Sequence, residues 1–157
     1  MKYVLIPSWS CGICKIHKEK DYFFYDDFLK KRIRICTSCY EEVHNRNKKL
    51  SIEDLLIKRL TNRLPKKFKH LLPEKEILAE YLIKTFDGEI EDLYHPYRYS
   101  IDHIIPVWCY DLNDKIDFLK CNHLGNLRII ESKENNLKRN KIIEDLIFDL
   151  TLENLLP

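Results

Sequence analysis

An α+β fold follows from three features of this sequence. Two Cys-x-x-Cys pairs, Cys11-Gly12-Ile13-Cys14 and Cys36-Thr37-Ser38-Cys39, sit in an aromatic and basic stretch near the N-terminus. Ile52, Leu55, Leu56, Leu60 and Leu64 then recur at helical spacing. Two short runs suited to strands, 99–105 and 126–130, precede a segment that reads as a helix. The chain thereby divides into residues 1–50, 51–93 and 94–157. At 157 residues and 45% hydrophobic content it can form one modest domain or two very small ones, with enough apolar surface to pack a core.

Residues 1–50 show no clear helical period, and their content is the cysteine pairs. Two residues between thiolates let one tight turn aim both sulfurs at a single ion, and two such turns complete a closed tetrahedral site. Cys11, Cys14, Cys36 and Cys39 are therefore read as ligands of a structural Zn²⁺. A closed site leaves no open coordination position, so this ion holds the fold and performs no chemistry. A segment with so few core-forming residues needs it in order to fold. The competing readings are a redox pair, disfavoured because two pairs recur outside a βαβ context, and unligated core cysteines. His17 and His44 lie nearby but are superfluous beside four thiolates. Cys109 and Cys121 lack pair spacing and read as small buried residues.

Residues 51–93 read as helical. Ser51 ahead of Glu53 and Asp54 resembles a capped start, and Pro65 interrupts the leucine stripe. Pro73 suits the first turn of a second helix running through Glu76, Leu78, Tyr81, Leu82 and Phe86 toward Gly88. Between Arg46 and His70 there are nine Lys/Arg and two Asp/Glu. Lys58, Arg59 and Arg63, continued by Lys66 and Lys67, lie off the leucine stripe and form a candidate phosphate-tracking face for DNA. A solvated lysine face is the alternative. The net charge of +2 conceals an asymmetry: from Cys14 to His70 sixteen basic residues face eight acids, and from Leu71 to Pro157 ten face seventeen. That pattern suits docking on a polyanion, and a biased lysine-rich composition is the plainer explanation.

In residues 94–157, strand one is Tyr99–Ile105, halted by Pro106, and strand two is Asn126–Ile130. A loop joins them, and a helix runs from about Ser132 through Leu146. Asp102 offers a carboxylate, a good ligand for a hard cation. Its neighbour His103 offers an imidazole that accepts protons near neutral pH. Asn135, in the first turns of the last helix, offers an amide oxygen as a second hard ligand. Mg²⁺ needs few protein ligands beside water and phosphate oxygens, so this pair suffices.

Asp102-His103-Ile104-x-Pro106, then Asn126-Leu127-x-x-Ile130, then Asn135-x-x-Lys138 resembles the signature of HNH (ββα-metal) endonucleases, over roughly residues 97–142. The form with asparagine in the last position is similar to the nuclease domains of RNA-guided effectors and to phage recombination endonucleases. The cysteine pairs bracketing Phe23, Phe24, Phe28 and the basic run Lys30–Arg34 more loosely resemble the zinc ribbons of phage endonucleases and small HNH restriction enzymes. The resemblance implies a ββα-metal core behind an N-terminal Cys₄ ribbon and intervening helices. His103 is then the general base that activates water, and Asp102 and Asn135 hold a catalytic Mg²⁺ or Mn²⁺. Asn126 bonds the backbone near His103 and orients its imidazole, while Lys138, Arg139 and Arg128 contact DNA. Two departures stand out. Asn135 replaces a frequent histidine, favouring Mg²⁺ or Mn²⁺ over softer metals, and a cysteine pair that flanks the family core is absent. His123 is read as a loop-packing residue.

Glycine is scarce, three residues in all, which excludes a P-loop or a dinucleotide fingerprint. No apolar run is long enough to cross a bilayer, and the N-terminal apolar stretch is too short for a signal peptide. A cytoplasmic protein of bacterial or phage origin is expected. Two classes of function stand open: a DNA endonuclease (of restriction, homing or phage type, nicking or structure-selective), and a zinc-stabilised DNA-binding protein without cleavage. An enzyme cutting both strands with one metal centre per chain predicts a homodimer.

Overall fold

The computed structural model describes residues 8–26, 30–62 and 64–138. The chain is mixed α and β, with three small antiparallel sheets of two strands each, and it divides into two compact units, Met1–Lys49 and Leu50–Pro157. The predicted middle and C-terminal segments thus share one unit.

In the first unit, β1 (Ser8–Ser10) pairs with β2 (His17–Glu19), and β3 (Phe23–Asp26) pairs with β4 (Lys31–Cys36). Helix α1 (Thr37–Lys48) follows β4 directly. The sequence reading gave no helix here, and the structure corrects it. Only Cys39, Tyr40 and Asn47 of α1 are buried, too few apolar positions for a stripe to show in the sequence. The helix is held instead by Cys39 at its first turn and by Tyr40, whose ring stacks on Phe24 at 3.5 Å between centroids. Gly12 in the first cysteine turn donates its N–H to the Arg34 carbonyl at 2.8 Å. A Cβ there would lie 3.2 Å from that oxygen, which is why the smallest residue occupies the turn.

In the second unit, Ser51 caps α2 (Ile52–Thr61) by accepting from the Asp54 N–H. Helix α3 (Lys75–Lys84) begins two residues after Pro73 and ends at Thr85, whose hydroxyl donates back to the Tyr81 and Leu82 carbonyls. Leu55, Leu56 and Leu60 of α2 meet Leu78, Ala79 and Leu82 of α3 in a core that continues into Leu93, Phe118, Leu127 and Ile129. Each leucine so buried stabilises the unit by about 1.5–3 kcal/mol. Against this core lies the antiparallel pair β5 (Tyr99–His103) and β6 (Leu127–Glu131), in the register Asp102↔Arg128 and His103↔Leu127. Helix α5 (Ser132–Lys138) leaves β6 without an intervening loop. The extension of this helix to Leu146 expected from the sequence lies outside the described residues.

The connection from β5 to β6 was expected to be a plain loop. It contains helix α4 (Lys115–Cys121), started by Asp114, whose carboxylate accepts from the Ile116 and Asp117 N–H groups. Seven residues are too short for a hydrophobic period, so the aspartate cap is the one legible signal. No helix among the described residues is long and apolar enough to cross a membrane.

Candidate functional site

Two constellations stand out, one in each unit. In the first unit the sulfurs of Cys11, Cys14, Cys36 and Cys39 all lie within 4.8 Å of one another. Tetrahedral zinc with bonds near 2.3 Å needs sulfurs about 3.8 Å apart, and Cys14 Sγ is 4.0 Å from Cys36 Sγ. Backbone N–H groups of Ile13 and Cys36 both donate to Cys11 Sγ at 3.4 Å. The hydroxyl of Ser38 holds the Cys36 thiol below its ordinary range, while the adjoining Cys36 sulfur and burial push Cys39 up. Four thiols brought to one point cannot all ionise without a cation to offset the charge, so the donor set fits a zinc ion. Among the described residues this is the one cluster of three or more cysteine, histidine or acidic side chains arranged to hold a metal. Cys121 and Cys109 belong to the other unit. Burial raises both thiols, Cys121 to about 12, and Cys121 packs with Ile104, Ile105 and Tyr110.

In the second unit the alternation of β5 sets Ser100 and Asp102 on one face and His103 on the other. The face bearing Ser100 and Asp102 is covered by α5. Asn135 donates its amide to Ser100 Oγ at 2.9 Å, and Lys138 Nζ lies 2.8 Å from both oxygens of Asp102. Lys138 also donates to the His103 carbonyl. Arg128, opposite Asp102 on β6, contacts the same carboxylate through Nε at 3.1 Å and lies 3.9 Å from Glu134. Asp102 is 5% exposed and Lys138 7%. The buried carboxylate is therefore compensated by two cations, which a buried charge requires.

His103 is half-buried, and its Nε2 lies 3.3 Å from Asn122 Oδ1. The Asn122 amide nitrogen donates to the Phe118 carbonyl at 2.9 Å, which fixes the amide so that its oxygen faces the imidazole. Nε2 consequently carries the proton and Nδ1 keeps its lone pair. Burial holds the imidazole below its ordinary pKa, so the neutral, proton-accepting form prevails at neutral pH. Asn122 was not singled out in the sequence; its one signal is its place four residues before Asn126.

Asn126 is fully buried. Its Oδ1 accepts from the Ile105 N–H at 2.7 Å, and its Nδ2 donates to the carbonyls of Ile105 at 3.3 Å and Cys121 at 2.8 Å. It thus clamps the chain leaving β5 to the end of α4, two residues beyond His103. Asn126→Ala strands the Ile105 and Cys121 backbone groups, each costing about 1–3 kcal/mol, and is expected to lower stability by about 3 kcal/mol in urea unfolding. A change under about 0.5 kcal/mol, the range of ordinary surface substitutions, would contradict the clamp.

The expected DNA-contact residues separate by geometry. Lys58 and Lys66 are exposed; Lys67, also exposed, donates to the Asn113 carbonyl at 2.9 Å. Arg59 corrects the sequence reading. Its guanidinium turns inward to the carbonyls of Leu93, His95 at 3.3 Å and Tyr99 at 3.4 Å, tying α2 to the segment that enters β5. Burial lowers it to about 10. Arg59→Met is expected to cost about 3 kcal/mol, since hydrogen bonds from a charged donor are worth about 1.5–3 kcal/mol each. Urea unfolding reads that cost, and a change under about 0.5 kcal/mol would contradict the role. Lys138 is likewise corrected: its ammonium is committed to Asp102 and is not displayed for a phosphate. Arg128 is spent largely on the same carboxylate. Arg63, Arg139 and Phe28 lie outside the described residues. His123 is exposed, and its Nδ1 accepts from the Gly125 N–H at 3.2 Å, shaping the turn before Asn126.

Comparison of the chain with protein-family models, curated proteins and solved structures finds no match.

Proposed function

We propose that the chain is a metal-dependent DNA endonuclease of the HNH type, carried on a zinc-stabilised N-terminal unit. The observation that carries this reading is a neutral, half-buried imidazole whose Nε2 is committed to Asn122, which leaves Nδ1 to accept a proton. The residue order in which Asp102, His103, Asn126 and Asn135 resemble the family's signature supports it further.

By the resemblance Asp102 and Asn135 would hold Mg²⁺ or Mn²⁺. Both Asp102 oxygens are taken here by Lys138, and the Asn135 amide nitrogen is turned to Ser100, so the ion would have to displace the Lys138 ammonium. Such an ion, when bound, supplies positive charge to the phosphate and to the departing 3′-oxygen. His103 accepts a proton from water at Nδ1. Asn122 keeps Nε2 protonated and the ring in place, and Asn126 anchors the backbone just beyond. Lys58, Lys66 and Lys67 are the exposed cations available to the DNA backbone. A restriction-type enzyme acting on duplex DNA is the form this reading takes, with a nicking or structure-selective enzyme as its variant. Cutting of both strands calls for a homodimer.

A second reading is favoured by one contact. Lys138 and Arg128 already neutralise Asp102, the arrangement of a purely structural ion pair, in which case the chain binds DNA without cutting it. Supercoiled plasmid with and without Mg²⁺ separates the two. The nuclease reading expects relaxed or linear product that depends on the metal, and the binding reading expects a mobility shift with the plasmid intact.

A further inference from the structure

Four thiolates around one Zn²⁺ carry a net charge of −2, and that charge has to be offset within a small, partly buried unit. The neutral donors are N–H groups of Ile13 and Cys36 on Cys11, and the Ser38 hydroxyl 3.4 Å from Cys36 Sγ. One full positive charge bonds to the quartet among the described residues. Lys18 Nζ lies 3.4 Å from Cys36 Sγ. Its position is built: Lys18 is the middle residue of β2, paired across the sheet with Trp9, and Trp9 packs edge-on against Phe23 in the core of the same unit. The residue is half-buried, and its ammonium makes a charge-assisted bond to the thiolate, stronger than a neutral one.

We infer that Lys18 is the counter-charge of the metal centre, a positioning residue that bonds the Cys36 thiolate and sets how tightly and how durably the four cysteines hold zinc. This rests on the zinc reading of the quartet. The positive charge offsets the repulsion among the four thiolates and so favours zinc binding, and its bond to Cys36 makes that sulfur a poorer nucleophile toward oxidants and alkylating agents. It lies outside the candidate nuclease site and predicts no change in chemistry there.

The test uses the full chain loaded with zinc or with Co²⁺. Wild type should bind one ion per chain and give the intense thiolate-to-Co²⁺ charge-transfer bands of a four-sulfur site; their absence overturns the zinc reading itself. Given those bands, Lys18→Met and Lys18→Gln are expected to weaken zinc by about 10- to 100-fold in competition with a chromophoric chelator, the usual range for a partner of a metal ligand. Both should also shift the charge-transfer bands to lower energy and speed zinc release by a thiol-specific oxidant. Lys18→Arg should stay close to wild type. Glutamine keeps a neutral polar donor on a side chain one atom shorter, so it tests the charge even if methionine fails to fold. Wild-type zinc affinity and spectrum in Lys18→Gln overturn the proposal, as does equal weakening in Lys18→Arg.

Discussion

Stripping zinc from the chain is expected to unfold residues 8–49 and leave the second unit folded. The buried cluster of the first unit is Cys11, Phe23, Cys36 and Cys39, with Trp9, Cys14 and Ile35 partly buried against it. One large side chain, Phe23, is fully buried among them, and its burial contributes only about 3 kcal/mol. Ordering the backbone costs about 1–2 kcal/mol for every residue, so a core of that size cannot by itself hold four hairpin strands and a helix in place. Structural zinc supplies about 10–16 kcal/mol at neutral pH, several times what that core contributes, so the unit's order is expected to depend on it. The second unit carries its own core of leucines from α2 and α3 and contains no part of the quartet. A chelator titration followed by amide NMR should therefore erase the dispersed signals of residues 8–49 and spare those of 50–138. Retention of both sets with the metal removed would show that the four cysteines are ordinary core residues.

The second large effect concerns His103. His103→Ala is expected to reduce Mg²⁺-dependent cleavage by about 10³-fold, within the 10²–10⁴ range of a positioned general base. The substitution should leave the fold intact. The ring is half-buried, its side-chain hydrogen bond is to Asn122, and the Lys138 contact uses the backbone carbonyl, which alanine retains. Asn122→Ala removes the bond that fixes the tautomer and should cost less, about tenfold. The ordering of the two variants, measured as initial rates of plasmid nicking, distinguishes a base with a positioning partner from a pair of packing residues.

Much of this was legible in the sequence, and the physical reasons are specific. The cysteine quartet was readable because ligand spacing is a local constraint: two residues between thiolates determine the turn wherever it occurs. Helices α2 and α3 were readable because their leucines recur at the period that faces a core, and Ser51 marks the first start. Asn126 was identified by its place in a pattern, and its clamp on Ile105 and Cys121 depends on α4, which seven residues kept hidden. Asn122 escaped notice for the same reason, since its value comes from a helix end that only the fold brings to His103. Arg59 and Lys138 show the opposite failure. A basic residue off the apolar stripe looks like a solvent-facing cation, but long side chains reach inward when carbonyls or a buried carboxylate stand within range. Nothing in the spacing of Lys138 or Arg59 records that Asp102 and the turn at 93–99 require a positive charge. Lys18 belongs with them: one cation among many in the sequence, distinguished by the sulfur it meets.

The central claim is that β5, β6 and α5 build a centre for phosphodiester hydrolysis. The most direct measurement incubates zinc-loaded wild type and His103→Ala, each shown to be folded by circular dichroism, with supercoiled plasmid across a Mg²⁺ titration, and maps the ends of any product. The account predicts nicked or linear DNA bearing 5′-phosphates with wild type, rising with Mg²⁺, and a loss of about 10³-fold with the variant. An intact plasmid at every Mg²⁺ concentration, or equal cutting by the two proteins, would contradict it.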